Sequence, residues 1–176
     1  RGNALHHRQH GGHIGDVVDE GRKAHRDEYQ QGIEPEGVIT GEGVEQNWQE
    51  AVRWYQAAAE QGYPPAQCAL GYCYEVGSGT AEDKTKAVEW YARAAEQEHP
   101  RAMCNLGLCY EHGDGVEQDK AKAVECYRKA AEQDYAPAQC NLGVLTLHGV
   151  GTEADPAAAA EWFRRAAEQS FARAQD

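Results

Sequence analysis

AMCNLGLCYEHGDGVEQDKAKAVECYRKAAEQ, residues 102–133, is the stretch that decides the fold, because the chain repeats it in phase. Thirty-six residues upstream stands AQCALGYCYEVGSGTAEDKTKAVEWYARAAEQ, beginning at Ala66. Thirty-six downstream stands AQCNLGVLTLHGVGTEADPAAAAEWFRRAAEQ, beginning at Ala138. Residues 66–101 and 102–137 share 20 identities in 36 positions. A fixed period of this length marks a repeat architecture, in which no unit buries its apolar face alone and neighbours must stack.

Each unit reads as two helices. Pro64 and Pro65, Pro100 and Pro137 open the first, where a missing N–H has no intrahelical partner. Apolar and small residues at 66, 70, 73 and 74 recur at helical spacing. Gly77, Gly113 and Gly149 stand where this helix should stop, and a second glycine follows at 79, 115 and 151. Asp83, Asp119 and Asp155 start the second helix, since aspartate accepts from the open N–H groups of a first turn. Ala87, Tyr91, Ala94 and Ala95 then form one apolar stripe, repeated at 123, 127, 130, 131 and at 159, 163, 166, 167, with Phe163 replacing tyrosine. Gly71, Gly107 and Gly143 allow close helix approach, and the aromatic rings fill the remaining space. A connection of about six residues within each pair predicts an antiparallel hairpin. The expected fold is all-α, an α/α superhelical solenoid of antiparallel helix pairs with a 36-residue period.

The run A-x-x-x-L-G-x-x-Y-x-x-G-x-G-V, then D, then A-x-x-W/C-Y-x-x-A-A-E-Q, resembles the Sel-one-like repeat, a relative of the tetratricopeptide repeat. The resemblance covers three copies, 66–101, 102–137 and 138–173, and a partial one, the second helix of a fourth, within 41–65. It implies a protein-binding scaffold or adaptor with no common catalytic residues. The implied partner is a protein or peptide.

Both ends depart from the pattern. The chain opens on Arg1 rather than Met, and its native start is expected to be missing. Residues 1–40 read as an irregular or poorly ordered arm. Within them, 16–31 could form a short polar helix, but Pro35 falls where the other copies have a mid-helix glycine. His6, His10 and His13 would share a helical face, yet Gly11 and Gly12 oppose that helix, so no metal site is expected. Phase returns with Gly41 and Gly43, a cap at Asn47, and Ala51, Trp54, Tyr55, Ala58 and Ala59. Residues 174–176 match the start of a further, truncated repeat. With no polar cap in view, either the parent protein carries more repeats, which is the expectation, or the last helix exposes an apolar face around Trp162, Phe163 and Ala166; some self-association is expected.

Six cysteines admit a disulfide framework. Residues five apart on a helix have Cα atoms roughly 8–9 Å apart and diverge by roughly 140°. That excludes Cys68–Cys73 and Cys104–Cys109, since a bridge needs less than about 7 Å. A cysteine-rich secreted branch of the resembled family bridges its helices through the second alanine of the final pair. Here those places hold Ala95, Ala131 and Ala167. Cys109–Cys126 remains a cross-helix pairing that does not recur. Buried thiols in a reducing cytoplasm are the expectation, and the cysteine spacing offers no metal motif.

On the first helices, Ala69, Tyr72 and Val76, with Asn105, Leu108 and His112, and Asn141, Val144 and His148, share a stripe beside the packing face. In the related tetratricopeptide fold the first helices line the concave surface. Stacked there, these stripes would form a groove for an extended or helical segment. A formal charge of −12, all of it in 33–176, disfavours nucleic acid and anionic membranes and favours a basic or neutral protein. No apolar run approaches the ~20 residues of a spanning helix. A cell-wall or β-lactam hydrolase, an activity ascribed to some cysteine-rich relatives, is the alternative. The chain lacks G-x-S-x-G, S-x-x-K, H-E-x-x-H and a phosphate loop, so neither enzyme activity nor a cofactor is expected.

Overall fold

The structure, a computed structural model, describes residues 48–173, with side chains through 169. The expectations for 1–40, the Asn47 cap and 174–176 lie outside the described residues. Among the described residues the chain forms seven helices and no strand. They are α1 Trp48–Glu60, α2 Pro64–Val76, α3 Lys84–Glu96, α4 Pro100–His112, α5 Lys120–Glu132, α6 Ala136–His148 and α7 Pro156–Arg173. The tightest pairings are α2 with α3, α4 with α5, and α6 with α7, and each pair packs on the one before it. The result is the all-α repeat stack that the period predicts.

Local chemistry sets the ends of each hairpin. Gly77, Gly113 and Gly149 adopt φ of 70°, 76° and 67°, the left-handed conformation that closes a helix. The connections 77–83, 113–119 and 149–155 are one residue longer than expected. They close by a bond from the backbone N–H of each capping aspartate to the preceding helix: Asp83 to Tyr74 O at 2.8 Å, Asp119 to Tyr110 O at 2.8 Å, Asp155 to Thr146 O at 2.9 Å. The carboxylates of the same aspartates accept from Lys86 N, Lys122 N and Ala158 N at 3.0, 3.0 and 2.9 Å.

Inside each hairpin the aromatic ring of the second helix lies on the mid-helix glycine of the first. A Cβ at Gly71 would sit 2.7 Å from the Tyr91 ring, one at Gly107 2.7 Å from Tyr127, and one at Gly143 2.8 Å from Phe163. Both tyrosines are wholly buried, and their hydroxyls donate to Glu75 Oε2 at 2.6 Å and Glu111 Oε2 at 2.7 Å. A buried hydroxyl needs such a partner. Where phenylalanine replaces tyrosine at 163, the glutamate position holds Leu147.

Contacts between hairpins repeat as well. The second glycine of each loop docks on the first turn of the second helix one repeat earlier. A Cβ at Gly115 would lie 2.2 Å from Lys84 O, and one at Gly79 2.2 Å from Trp48 O. Gln67 and Gln139 are buried between repeats, donating to Ala59 O and Ala131 O at 3.1 Å and accepting from Gln97 and Gln169 at 2.9 Å. Met103 takes the equivalent place in the middle repeat.

All six cysteines lie among the described residues and all are thiols. Cys68, Cys73, Cys104 and Cys109 are buried, Cys126 half-buried. Cys140 departs from the expected burial and is exposed. The reason is positional. Cys68 and Cys104 are each covered by an asparagine of the following repeat, Asn105 and Asn141.

Candidate partner-binding face

The first-helix stripes align into three rows by repeat position, and the rows have different environments. The row of Ala69, Asn105 and Asn141 faces the neighbouring repeat. Ala69 and Asn105 are each 3% exposed, and Asn141 is half-buried. Asn105 Nδ2 donates to Cys68 Sγ at 3.9 Å, and Asn141 Nδ2 to Cys104 Sγ at 3.7 Å. These amides form one contact between successive first helices. The row of Tyr72, Leu108 and Val144 is half-buried, and Leu108 packs on the middle core formed by α4, α5 and α6. The row of Val76, His112 and His148 is exposed, at the C-terminal ends of α2, α4 and α6.

The nine stripe residues thus form a covered row at the repeat junction, a half-buried row and an exposed row along consecutive first helices. Tyr72, Leu108 and Val144 offer partly covered apolar surface, and the outer row offers one aliphatic and two imidazole groups. This surface suits binding by contact area and hydrogen bonding. Two thiols of the same first helices, Cys73 and Cys109, are held protonated by burial. Burial pushes Cys73 up to about 11, and burial with the Glu75 and Asp114 charges pushes Cys109 up to about 12. A neutral thiol is a poor nucleophile and metal ligand. Among the described residues no group of three or more His, Cys, Asp or Glu could hold a metal ion. No helix among them is long and apolar enough to cross a membrane.

The model of the Sel1 repeat matches four consecutive stretches, 37–63, 64–99, 100–135 and 136–171. The chain belongs to the Sel1 repeat family. The boundaries at 64, 100 and 136 coincide with the first residues of α2, α4 and α6. Sel1 repeats are generally protein–protein interaction modules. The Sel1 stack is similar to a solved Sel1 repeat protein from Oxalobacter formigenes, with TM-score 0.62 and 42% identity, covering 68% of this chain and 51% of that one. It is similar also to c5321, a protective antigen of uropathogenic Escherichia coli with an SLR fold, with TM-score 0.69 and 34% identity, covering 86% of this chain and 33% of that one. Helicobacter pylori cysteine rich protein B shares the fold, with TM-score 0.56 and 24% identity, covering 73% of this chain and 92% of that one. The chain thus spans about half of the Oxalobacter protein and a third of c5321. No curated protein matches it.

Two arrangements escaped the sequence reading, although their signals were present in it. Glu75 with Tyr91 and Glu111 with Tyr127 change together to Leu147 with Phe163. Trp90 with Arg93 and Trp162 with Arg165 form stacked pairs, with the guanidinium 4.4 and 5.0 Å from the ring centre. Both follow from reading two columns of the repeat together, where single columns show only a substitution.

Proposed function

We propose that the protein is an interaction scaffold that holds a protein or peptide segment along the first-helix stripe of Tyr72, Leu108 and Val144, with Val76, His112 and His148 at its outer edge. The observation that carries this reading is the pair of asparagine-to-cysteine contacts between successive first helices. They support a reading in which the stripe of one repeat lies beside that of the next, so that a segment lying across the repeats would meet both. The charge of −12 supports a basic or neutral partner over nucleic acid or an anionic membrane. The raised thiols of Cys73 and Cys109 lend no support to cysteine nucleophiles there, which bears on only one form of the alternative, a cell-wall or β-lactam hydrolase. Thiols packed as small apolar groups support a reducing, cytoplasmic setting. At α7, Phe163 is half-buried and Ala167 exposed, whereas Tyr127 and Ala131 in the preceding repeat are buried. This supports docking of a further helix pair or a second copy on that face, which light scattering over a concentration series would read as a rising mass.

The test is selection of peptides on the full chain from a displayed library, followed by binding to a variant with Val76→Glu, His112→Glu and His148→Glu. These positions are exposed, so the helical circular dichroism should be kept. At least a tenfold loss of affinity is expected. Equal binding by both proteins would move the partner to another face.

A further inference from the structure

The repeat carries a tryptophan on its second helix at 54, 90 and 162, with Cys126 in the remaining copy. At two of these places the chain covers its own indole. Arg93 lies 4.4 Å from the centre of the Trp90 ring and Arg165 5.0 Å from that of Trp162. Both rings are half-buried. The arginine stands three residues after the tryptophan, one turn along the same face. At the third place the arginine position is Ala57. Trp54 is 70% exposed there, the highest exposure among the large apolar residues described. Beside it lies an open hollow of about 510 Å³, lined by Gln49, Glu50, Arg53, Trp54 and Ala57.

We propose that Trp54 and this hollow receive an arginine side chain from a basic protein partner, whose guanidinium takes the position that Arg93 and Arg165 fill in the other repeats. Three observations converge on that occupant. The fold itself shows how an indole at this repeat position is covered, and it uses a guanidinium both times. The covering residue is replaced by the small Ala57, which leaves room. The chain as a whole carries 29 acidic against 17 basic residues, which favours a cationic over an anionic partner, and at the hollow Glu50 offsets Arg53. The attraction of a cation to an indole face is strongest for tryptophan and favours arginine over lysine. This site is on a second helix, apart from the first-helix stripe, so it stands or falls independently of the proposed groove.

The experiment follows the indole N–H signals of the uniformly ¹⁵N-labelled full chain by NMR. The Trp54 signal is identified by its loss in Trp54→Leu. The probe is a short capped peptide with a single arginine between glycines, compared with the same peptide carrying citrulline, which keeps the shape and loses the charge. A saturable shift of the Trp54 signal with the arginine peptide, and none with citrulline, is expected. Ala57→Arg should place that signal at its shifted position from the start and abolish the response. Trp54→Leu should weaken binding of the arginine peptide, read from the backbone amide signals around residue 54, by about two- to fivefold, the worth of one exposed cation–aromatic contact. Arg93→Ala, which uncovers Trp90 at the surface, should make a second indole respond. A Trp54 signal that ignores the arginine peptide, moves equally with citrulline, or still responds in Ala57→Arg would overturn the proposal. So would a signal already at the capped position in the free wild-type chain, which would show that the chain covers this indole itself.

Discussion

Two glycines in this chain separate backbone conformation from backbone contact. Gly62 has φ of 87° and open space around the place a Cβ would take. Gly115 has φ of 69°, and its Cβ would also stand 2.2 Å from Lys84 O, on the helix of the preceding repeat. Gly62→Ala should therefore cost only the left-handed strain, about 1–2 kcal/mol. Gly115→Ala adds an overlap with main chain that cannot rotate away, and should cost about 3 kcal/mol or more. Urea midpoints of the two variants would check this; equal losses would mean the loop moves off its neighbour freely. The same positive φ occurs at Glu98 and Asp134, at 58° each, in the loops that lead into α4 and α6, where the first copy has Gly62.

At the scale of helices, the caps make stability depend on pH in two separate windows. His99 caps α4 by accepting from Ala102 N through Nδ1 at 3.3 Å, which requires the neutral ring. Burial first, and the Arg101 charge second, hold its pKa below the ordinary 6.5. The unfolded chain then binds the proton more tightly, so the contribution is present above pH 6.5 and is lost as pH falls through the lower folded value. Asp83 and Asp119 are also held down, chiefly by the backbone N–H groups of Lys86 and Lys122, below the ordinary 3.8. Their contribution is lost only in acid beyond that point. His99→Asn keeps a capping acceptor without the titration, and should flatten the profile of thermal midpoint against pH just below 6.5 while leaving the acid limb. An unchanged profile would assign that window to another group. Within the hairpin, Tyr127→Phe should cost about 1–2 kcal/mol by stranding Glu111. Tyr127→Phe with Glu111→Leu should recover part of it, because the α6–α7 hairpin already carries Phe163 and Leu147. A double-mutant cycle by urea unfolding measures the coupling; simple additivity would show that the two side chains act separately.

Over the whole stack, stability is a sum of hairpins and of the junctions between them. Gln139 joins three helices, through Ala131 O of α5 and Gln169 of α7. Its replacement by alanine should cost about 1–3 kcal/mol through unpaired groups left inside. The effect should stay local. Hydrogen exchange in Gln139→Ala should quicken in α6 and α7 and hold steady in α2 and α3. Uniform quickening would show that the array opens as one unit.

The sequence by itself determined the helices, their ends and their pairing. Those features depend on signals that act within a turn or a short loop: the prolines at 64, 100 and 137, the aspartates at 83, 119 and 155, the glycines at 77, 113 and 149, and the apolar spacing between them. Repetition then multiplied each signal and made the stacked architecture legible. The candidate face was legible as a set of positions, but the environment of each was not. Only the tertiary structure decided that Asn105 turns to Cys68, that Gly115 rests on Lys84 O, that Cys140 lies open while Cys104 is covered, and that Trp54 stands bare. The first three depend on residues some thirty to forty positions apart, brought together by the angle at which hairpins stack. That angle is a property of packed surfaces and is written in no single repeat.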